Sequence, residues 1–274
     1  MANEVTLTAA LRTNLLSLQR TQGLLDVTQN RLATGKRVNS ALDDANAFFA
    51  SQSLTFRAND LTRLLDGIGQ GVQTLKAADQ GITTITSFLE QLQATAQEAL
   101  DQANASGGAP TDQVSLEASY DELIAQLDFV AADSGYRGTN LLDSGDLTVT
   151  FNEDASSTLT VSGVDFTTGG DLSISAADFT DAVTAQAALD EISAALTLVR
   201  AQARTFGTNL NIIQTREDFT ESLVNVLKEG SDKLTLADNN EEGAKLLSLQ
   251  TAQQLGITSL SLASQAQQSV LRLF

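Results

Sequence analysis

Leucine recurs at Leu11, Leu15, Leu18, Leu25 and Leu32, and this spacing restricts the available folds more than any other feature of the chain. Steps of three, four and seven draw one stripe along a helix. The row lapses at Gln22 and Gln29, both polar. Burying the five leucines would contribute roughly 8–15 kcal/mol at about 1.5–3 each. A lone helix covers none of that stripe and is marginal in water. The stripe therefore demands a partner.

The same rhythm returns downstream. A second row runs Leu54, Ala58, Leu61, Leu65, Ile68, Val72, Leu75, Ile82, Leu89, with Asp79 and Thr86 as polar interruptions. A shorter one runs Leu116, Tyr120, Leu123, Leu127, Val130. The cleanest starts near Thr184 and runs Leu189, Ile192, Leu196, Val199, Ala203, Phe206, Leu210, Ile213, then Val224 and Leu227. Sustained heptads of this kind predict coiled-coil-like packing. Gly67, Gly69, Gly71 and Gly81 each cost about 1 kcal/mol of helix propensity against alanine, so they mark either close helix approach or a compliant region. The last helix, 243–274, carries two adjacent rows: Leu249, Leu260, Ala263, Val270, Phe274, and Leu255, Leu262, Ala266, Leu273. Apolar residues on two stripes predict cover from more than one side.

Between these helical stretches, residues 143–177 change period. Leu147–Phe151 and 158–161 alternate apolar and polar, with a turn-like stretch between them, which predicts a hairpin. A turn at Gly169-Gly170 and a third short strand over 172–175 are expected to follow. The acids here (Asp143, Asp146, Glu153, Asp154) lack the alternating ligands and distal glutamate of a calcium loop and read as solvated turns.

Charge is segregated along the chain. Residues 1–76 hold eight basic and six acidic side chains, 200–274 seven and eight, and 77–199 one basic (Arg137) against twenty acidic. An acidic middle argues against nucleic acid and anionic membrane as partners. It suits solvent exposure, whereas near-neutral ends suit packing against copies. The run 238–242 is expected to stay unburied.

Much chemistry is excluded. The chain has no histidine and no cysteine, so it offers no histidine base, no serine–histidine triad, no thiol nucleophile and no histidine or thiolate zinc site. No phosphate loop or dinucleotide fingerprint occurs. A carboxylate pair such as Asp43 and Asp44 could do acid–base work, but adjacent acids at a helix start serve far more often as cap and dipole partners. The reading is of a protein that is not an enzyme, with no catalytic, cofactor-binding or metal residues and no cofactors. Residues 1–25 lack the basic start, apolar core and small-residue site of a cleaved leader. No uninterrupted apolar run reaches the ~20 residues of a membrane span, so no membrane insertion is expected.

The joint after the first row reads Arg31-Leu32-Ala33-Thr34-Gly35-Lys36-Arg37-Val38-Asn39-Ser40-Ala41-Leu42-Asp43-Asp44-Ala45. Gly35 is a helix stop, and Ser40 with Asp43 reads as the cap of a new helix. This run resembles the N-terminal motif of bacterial flagellins, with Asn14, Ser17, Leu18 and Leu25 also in place. Ser134-Gly135-Tyr136-Arg137-Gly138-Thr139-Asn140-Leu141-Leu142 resembles that family's turn, with Tyr136-Arg137-Gly138 where phenylalanine–asparagine–glycine is usual. Residues 263–274 resemble the flagellin C-terminus. The likeness covers 1–142 and about 180–274.

The resemblance implies a mainly α fold: an elongated antiparallel helical bundle or coiled-coil rod, N- and C-terminal helices paired, plus a small β-hairpin region in the middle. Residues 1–42 and 235–274 would be inner-tube helices, 43–142 and 181–234 the rod, and 143–180 a short variable outer region. Because 146–175 is hairpin-like and solvated in composition, its replacement by a short Gly/Ser turn is expected to spare assembly. The resemblance also implies a structural subunit of the flagellar filament for swimming motility, secreted and extracellular, which polymerises with itself and other flagellins. Partners in assembly would be the flagellar type III export apparatus, an export chaperone and the filament cap. The self-assembly interface is expected at Leu11, Leu15, Leu18, Leu25, Leu32, Leu249, Leu260, Val270, Leu273 and Phe274. Two other readings stand beside it: a hook–filament junction protein, distinguished by its few copies, and a surface homologue that binds a ligand through its middle.

Overall fold

The structure, a computed structural model, describes residues 9–105 and 110–271. Its helices are α1 (Ala9–Thr34), α2 (Ala45–Asn104), α3 (Pro110–Asp133), α4 (Ala182–Thr235) and α5 (Asn239–Leu271), with strands β1 (Leu147–Thr150) and β2 (Thr158–Val161). The chain divides into two compact units, Met1–Phe56 with Val226–Phe274, and Arg57–Asn225.

Helix ends follow local chemistry. α1 stops at Gly35, which takes φ 67°, a left-handed conformation that costs glycine nothing. The cap of α2 differs from the sequence expectation. Asp44, not Ser40, caps it, accepting the Ala47 N–H at 3.1 Å. Ser40 and Asn39 instead donate their backbone N–H groups to Asp43 Oδ2 at 2.9 and 3.0 Å, closing a separate turn. Those bonds, Ser40's first and then Asn39's, hold the Asp43 carboxyl below its ordinary value. Asp181 caps α4 by accepting the Val183 and Thr184 N–H groups, each at 2.9 Å. Asp238 caps α5 through the Asn240 N–H at 2.8 Å.

In the unit Arg57–Asn225, α2 runs antiparallel to both α3 and α4. Gly81 lies against Ser134 at the end of α3, and Gly69 against Glu217 in the second half of α4. The apolar rows meet between them: Ile68, Leu75, Ile82 and Leu89 from α2, Tyr120 and Leu127 from α3, and Ile192, Val199 and Phe206 from α4 are buried. Ala78, Ile85 and Leu92 are fully buried where the sequence row marks Asp79 and Thr86, both outside the core. α4 contains a window of mean hydropathy 1.2, long and apolar enough to cross a membrane by composition; its buried residues line this core.

Tyr136 and Thr139 exchange backbone hydrogen bonds at 2.8 and 3.0 Å around a two-residue turn with positive φ at Arg137 (49°) and Gly138 (85°). Two successive positive φ angles mark the turn type for which asparagine–glycine is best suited. Arg137 adopts the same geometry, and its guanidinium donates to Gln70 Oε1 at 3.1 Å, beside the Tyr136 hydroxyl at 2.9 Å.

The middle is less peripheral than its composition suggests. β1 and β2 pair antiparallel, Leu147 opposite Val161 and Thr150 opposite Thr158. Val149, Phe151, Val161, Phe166, Leu172, Ile174 and Phe179 are all buried in the core. No third strand forms over 172–175. Residues 163–181 instead form a strap; some of its N–H groups meet backbone carbonyls, such as Phe166 N on Leu142 O at 2.9 Å, and four are received by helix carboxylates. Thr168 N donates to Asp128 at 2.7 Å, Ala177 N to Asp121 and Phe179 N to Glu117 at 2.9 Å, and Ser175 N to Glu191 at 2.8 Å. Positions 117, 121 and 128 share one face of α3. Part of the acidity read as solvent-facing therefore satisfies backbone groups that no strand partner meets.

Candidate functional site: the paired terminal helices

The leucine row of α1 finds its cover on α5. The two helices pack antiparallel: Arg31 meets Glu242, Gln22 meets Gln253, and Leu18 meets Gly256. Leu11 and Leu25 are buried, as is Thr28, and Leu18 and Leu32 are half-buried. Leu249 and Leu260, also half-buried, share the α5 face of Glu242, Gln253 and Gly256. The polar gap at Gln22 has a purpose, since Gln253 Nε2 donates to its Oε1 at 2.6 Å across the seam. A Cβ at Gly256 would stand 3.1 Å from Leu18 Cγ, so that glycine is the hollow into which Leu18 fits.

Most of the leucines assigned by sequence to contacts between copies thus form the seam within one chain. Leu15, 39% exposed, lies at its edge. The side chain of Val270, and all of Leu273 and Phe274, lie outside the described residues. What the pair leaves uncovered is its outer side: Leu16 (49%), Leu24 (55%) and Val27 (47%) on α1, and Leu247 (66%), Leu255 (66%) and Leu262 (69%) on α5. The two α5 rows have separate destinations. The Leu249/Leu260 row turns to α1, and the Leu255/Leu262 row turns outward. The signal was available in the sequence, because a two-helix pair can cover only one of two stripes.

At the joint, Lys36 and Leu236 form an antiparallel bridge; Arg37 N donates to Thr235 O at 2.7 Å and Ala237 N to Gly35 O at 3.0 Å. Ser231 Oγ links α2 and α4 nearby, donating to Ser51 O at 3.1 Å. Glu242 is buried, contrary to the expectation for 238–242. Its Oε1 receives Arg31 at 3.2 Å and Lys245 at 3.3 Å, while Oε2 has no partner among the described residues. Burial opposes the charge, but hydrogen bonds from Lys245 and Arg31 outweigh it and hold the carboxyl below the ordinary glutamate value. Leu42, in the loop before α2, is 98% exposed.

The site contains contact surface and a charged clasp. Among the described residues no group of three or more acidic side chains is placed to hold a metal ion.

Comparison with known proteins gives a consistent picture. The bacterial flagellin N-terminal helical region matches residues 5–146, and the bacterial flagellin C-terminal helical region matches 189–274. Flagellin FljM of Caulobacter vibrioides is 30% identical over 264 residues, covering 95% of this chain and 94% of that one. A flagellin of Brucella melitensis is 28% identical over 287 residues, covering 100% and 99%. The crystal structure of Bacillus cereus flagellin aligns with a TM-score of 0.47 at 21% identity, over 55% of this chain and 86% of that one.

Proposed function

This chain belongs to the bacterial flagellin family and is a structural subunit of the flagellar filament, and from that premise we propose that it assembles through the outer faces of α1 and α5. The observation that carries the reading is the second stripe. The seam between α1 and α5 is already filled, yet Leu16, Leu24, Leu255 and Leu262 remain exposed on helices of 26 and 33 residues. Apolar rows left open on both members of a pair are covered economically by further copies. An open helical polymer needs a heterologous contact, and two different helix faces provide one.

In this reading 1–42 and 235–274 form the inner tube, 43–142 and 181–234 the rod, and 143–180 the outer region. The subunit travels unfolded through the flagellar export apparatus, escorted by a chaperone, and is inserted beneath the filament cap. Its role is mechanical rather than catalytic. The test is to delete residues 260–274, which removes Leu260, Leu262 and the distal part of both stripes. The purified truncated protein is expected to stay soluble and helical yet form no filaments under electron microscopy in precipitating salt. Normal filaments from it would overturn the assignment.

A further inference from the structure

The unit Arg57–Asn225 carries a second pair of surfaces that fit each other but do not meet within one chain. α3 has six acidic residues and no basic one. Its outer face presents Phe129, 60% exposed, with Glu122 seven residues before it and Asp133 four after. Ala118, Ala125 and Ala132 lie beside them at heptad spacing, so another helix can approach closely.

α4 is the opposite. From 192 to 216 it holds Arg200, Arg204 and Arg216 and no acid, the one basic stretch beside an acidic middle. Ile212 is exposed on its outer face and lines a hollow of about 340 Å³ with Thr208, Asn211, Thr215 and Arg216. Arg204 precedes Ile212 by eight residues and Arg216 follows it by four. Among the described residues neither Arg200 nor Arg204 has an ion-pair partner.

The two patterns coincide when the helices run in the same direction. Phe129 over Ile212 brings Glu122 to Arg204 and Asp133 to Arg216, with offsets of seven against eight and four against four. That direction is the one a polymer supplies. α3 and α4 both run antiparallel to α2, so they are parallel to each other, and successive copies standing the same way up in a filament preserve this.

We propose that the outer face of α3 docks on the outer face of α4 of the next copy, with Phe129 seated in the Ile212 hollow between two acid–arginine pairs. The proposal rests on the filament reading above and names a lateral contact within it. The contact is heterologous and leaves one face free on each end copy, so it propagates. Opposed charge sets its register and disfavours α3-to-α3 pairing, which would bring the outer-face acids Glu122 and Asp133 against their own copies.

The natural chain lacks cysteine, so a disulfide can report the contact without background. Filaments of the Phe129→Cys, Ile212→Cys double variant, oxidised and run without reductant, are expected to give a ladder of dimers, trimers and higher species. The same protein kept monomeric is expected to give none. Filaments that form normally but yield only monomer on oxidation would overturn the proposal. Should the cysteine variant not polymerise, charge reversal decides. Glu122→Arg with Asp133→Arg, and separately Arg204→Glu with Arg216→Glu, are each expected to lose self-assembly while keeping wild-type circular dichroism. Mixed one to one, they are expected to recover filaments. Folded variants that each assemble alone, or that do not complement, would refute the docking; an α3 surface that recruits some other partner would show the first result. Failure of the wild-type chain to form filaments would instead remove the filament reading.

Discussion

A methyl group at position 81 has no room. An added Cβ would stand 2.6 Å from Leu142 Cδ1 and 2.8 Å from Ser134 Cβ, and Ser134 is fixed by its own hydrogen bond to Val130 O at 2.6 Å. Gly67, in the same helix, has nothing within 4 Å. Alanine gains about 1 kcal/mol of helix propensity at either site, while overpacking costs about 1–3 kcal/mol only where the neighbours cannot yield. Gly81→Ala is therefore expected to lower stability by up to about 2 kcal/mol, and Gly67→Ala to raise it by up to about 1 kcal/mol, in urea titrations followed by circular dichroism. From sequence, both glycines admit the same two readings; only the helix across the core separates them. Glu242 shows the same limit. A run of five residues with three acids and two asparagines reads as solvated, and its burial depends on Arg31, 211 positions away. The folded-state value of Glu242 is lowered, so its clasp adds stability that is complete above the ordinary glutamate value of 4.5 and is lost as pH falls below it. Acid titration should loosen the α1–α5 pair over that window, and Glu242→Gln should flatten that part of the curve; an unchanged curve for the variant would remove Glu242 from the account.

At the scale of elements, heptad rows placed every long helix, because an apolar stripe at helical spacing has one economical use. The hairpin was legible for the same reason at period two. The strap over 163–181 was not. Its buried residues Phe166, Leu172, Ile174 and Phe179 follow neither period, and the N–H groups of Thr168, Ser175, Ala177 and Phe179 are satisfied by side chains from α3 and α4 rather than by a neighbouring strand. The expectation that replacing 146–175 spares assembly therefore concerns a packed segment rather than a free loop. Replacing 146–175 by a short Gly/Ser turn would take Val149, Phe151, Phe166, Leu172 and Ile174 out of the core, and the unit is expected to melt earlier and less cooperatively in calorimetry. A milder probe is Asp128→Ala, which leaves the N–H of buried Thr168 unanswered and should cost about 1–3 kcal/mol. Asp112→Ala, on the exposed first turn of α3, should cost far less. Equal effects at 128 and 112 would mean that the carboxylates do not fasten the strap.

Across the whole molecule, apolar burial is uneven, and this decides which part depends on company. The unit Arg57–Asn225 encloses a continuous core of three helices, hairpin and strap. In the pair α1–α5, among the described residues only Leu11, Leu25 and Thr28 of α1 and Glu242 of α5 are buried, while large leucines stand open on the far side of both helices. Two helices that bury one stripe each gain little against the roughly 1–2 kcal/mol of backbone entropy lost per ordered residue. Local opening is therefore cheapest there. In the polymer the outer stripes acquire cover and the same helices should become as stable as the core. Hydrogen exchange measured by mass spectrometry tests both halves of the argument. In monomer, peptides from 11–40 and 240–262 should exchange several orders of magnitude faster than those from 68–99 and 189–213; in filaments that difference should collapse. Strong protection of the terminal helices in a verified monomer would show that the pair is self-sufficient, and the exposed leucines would then need another explanation.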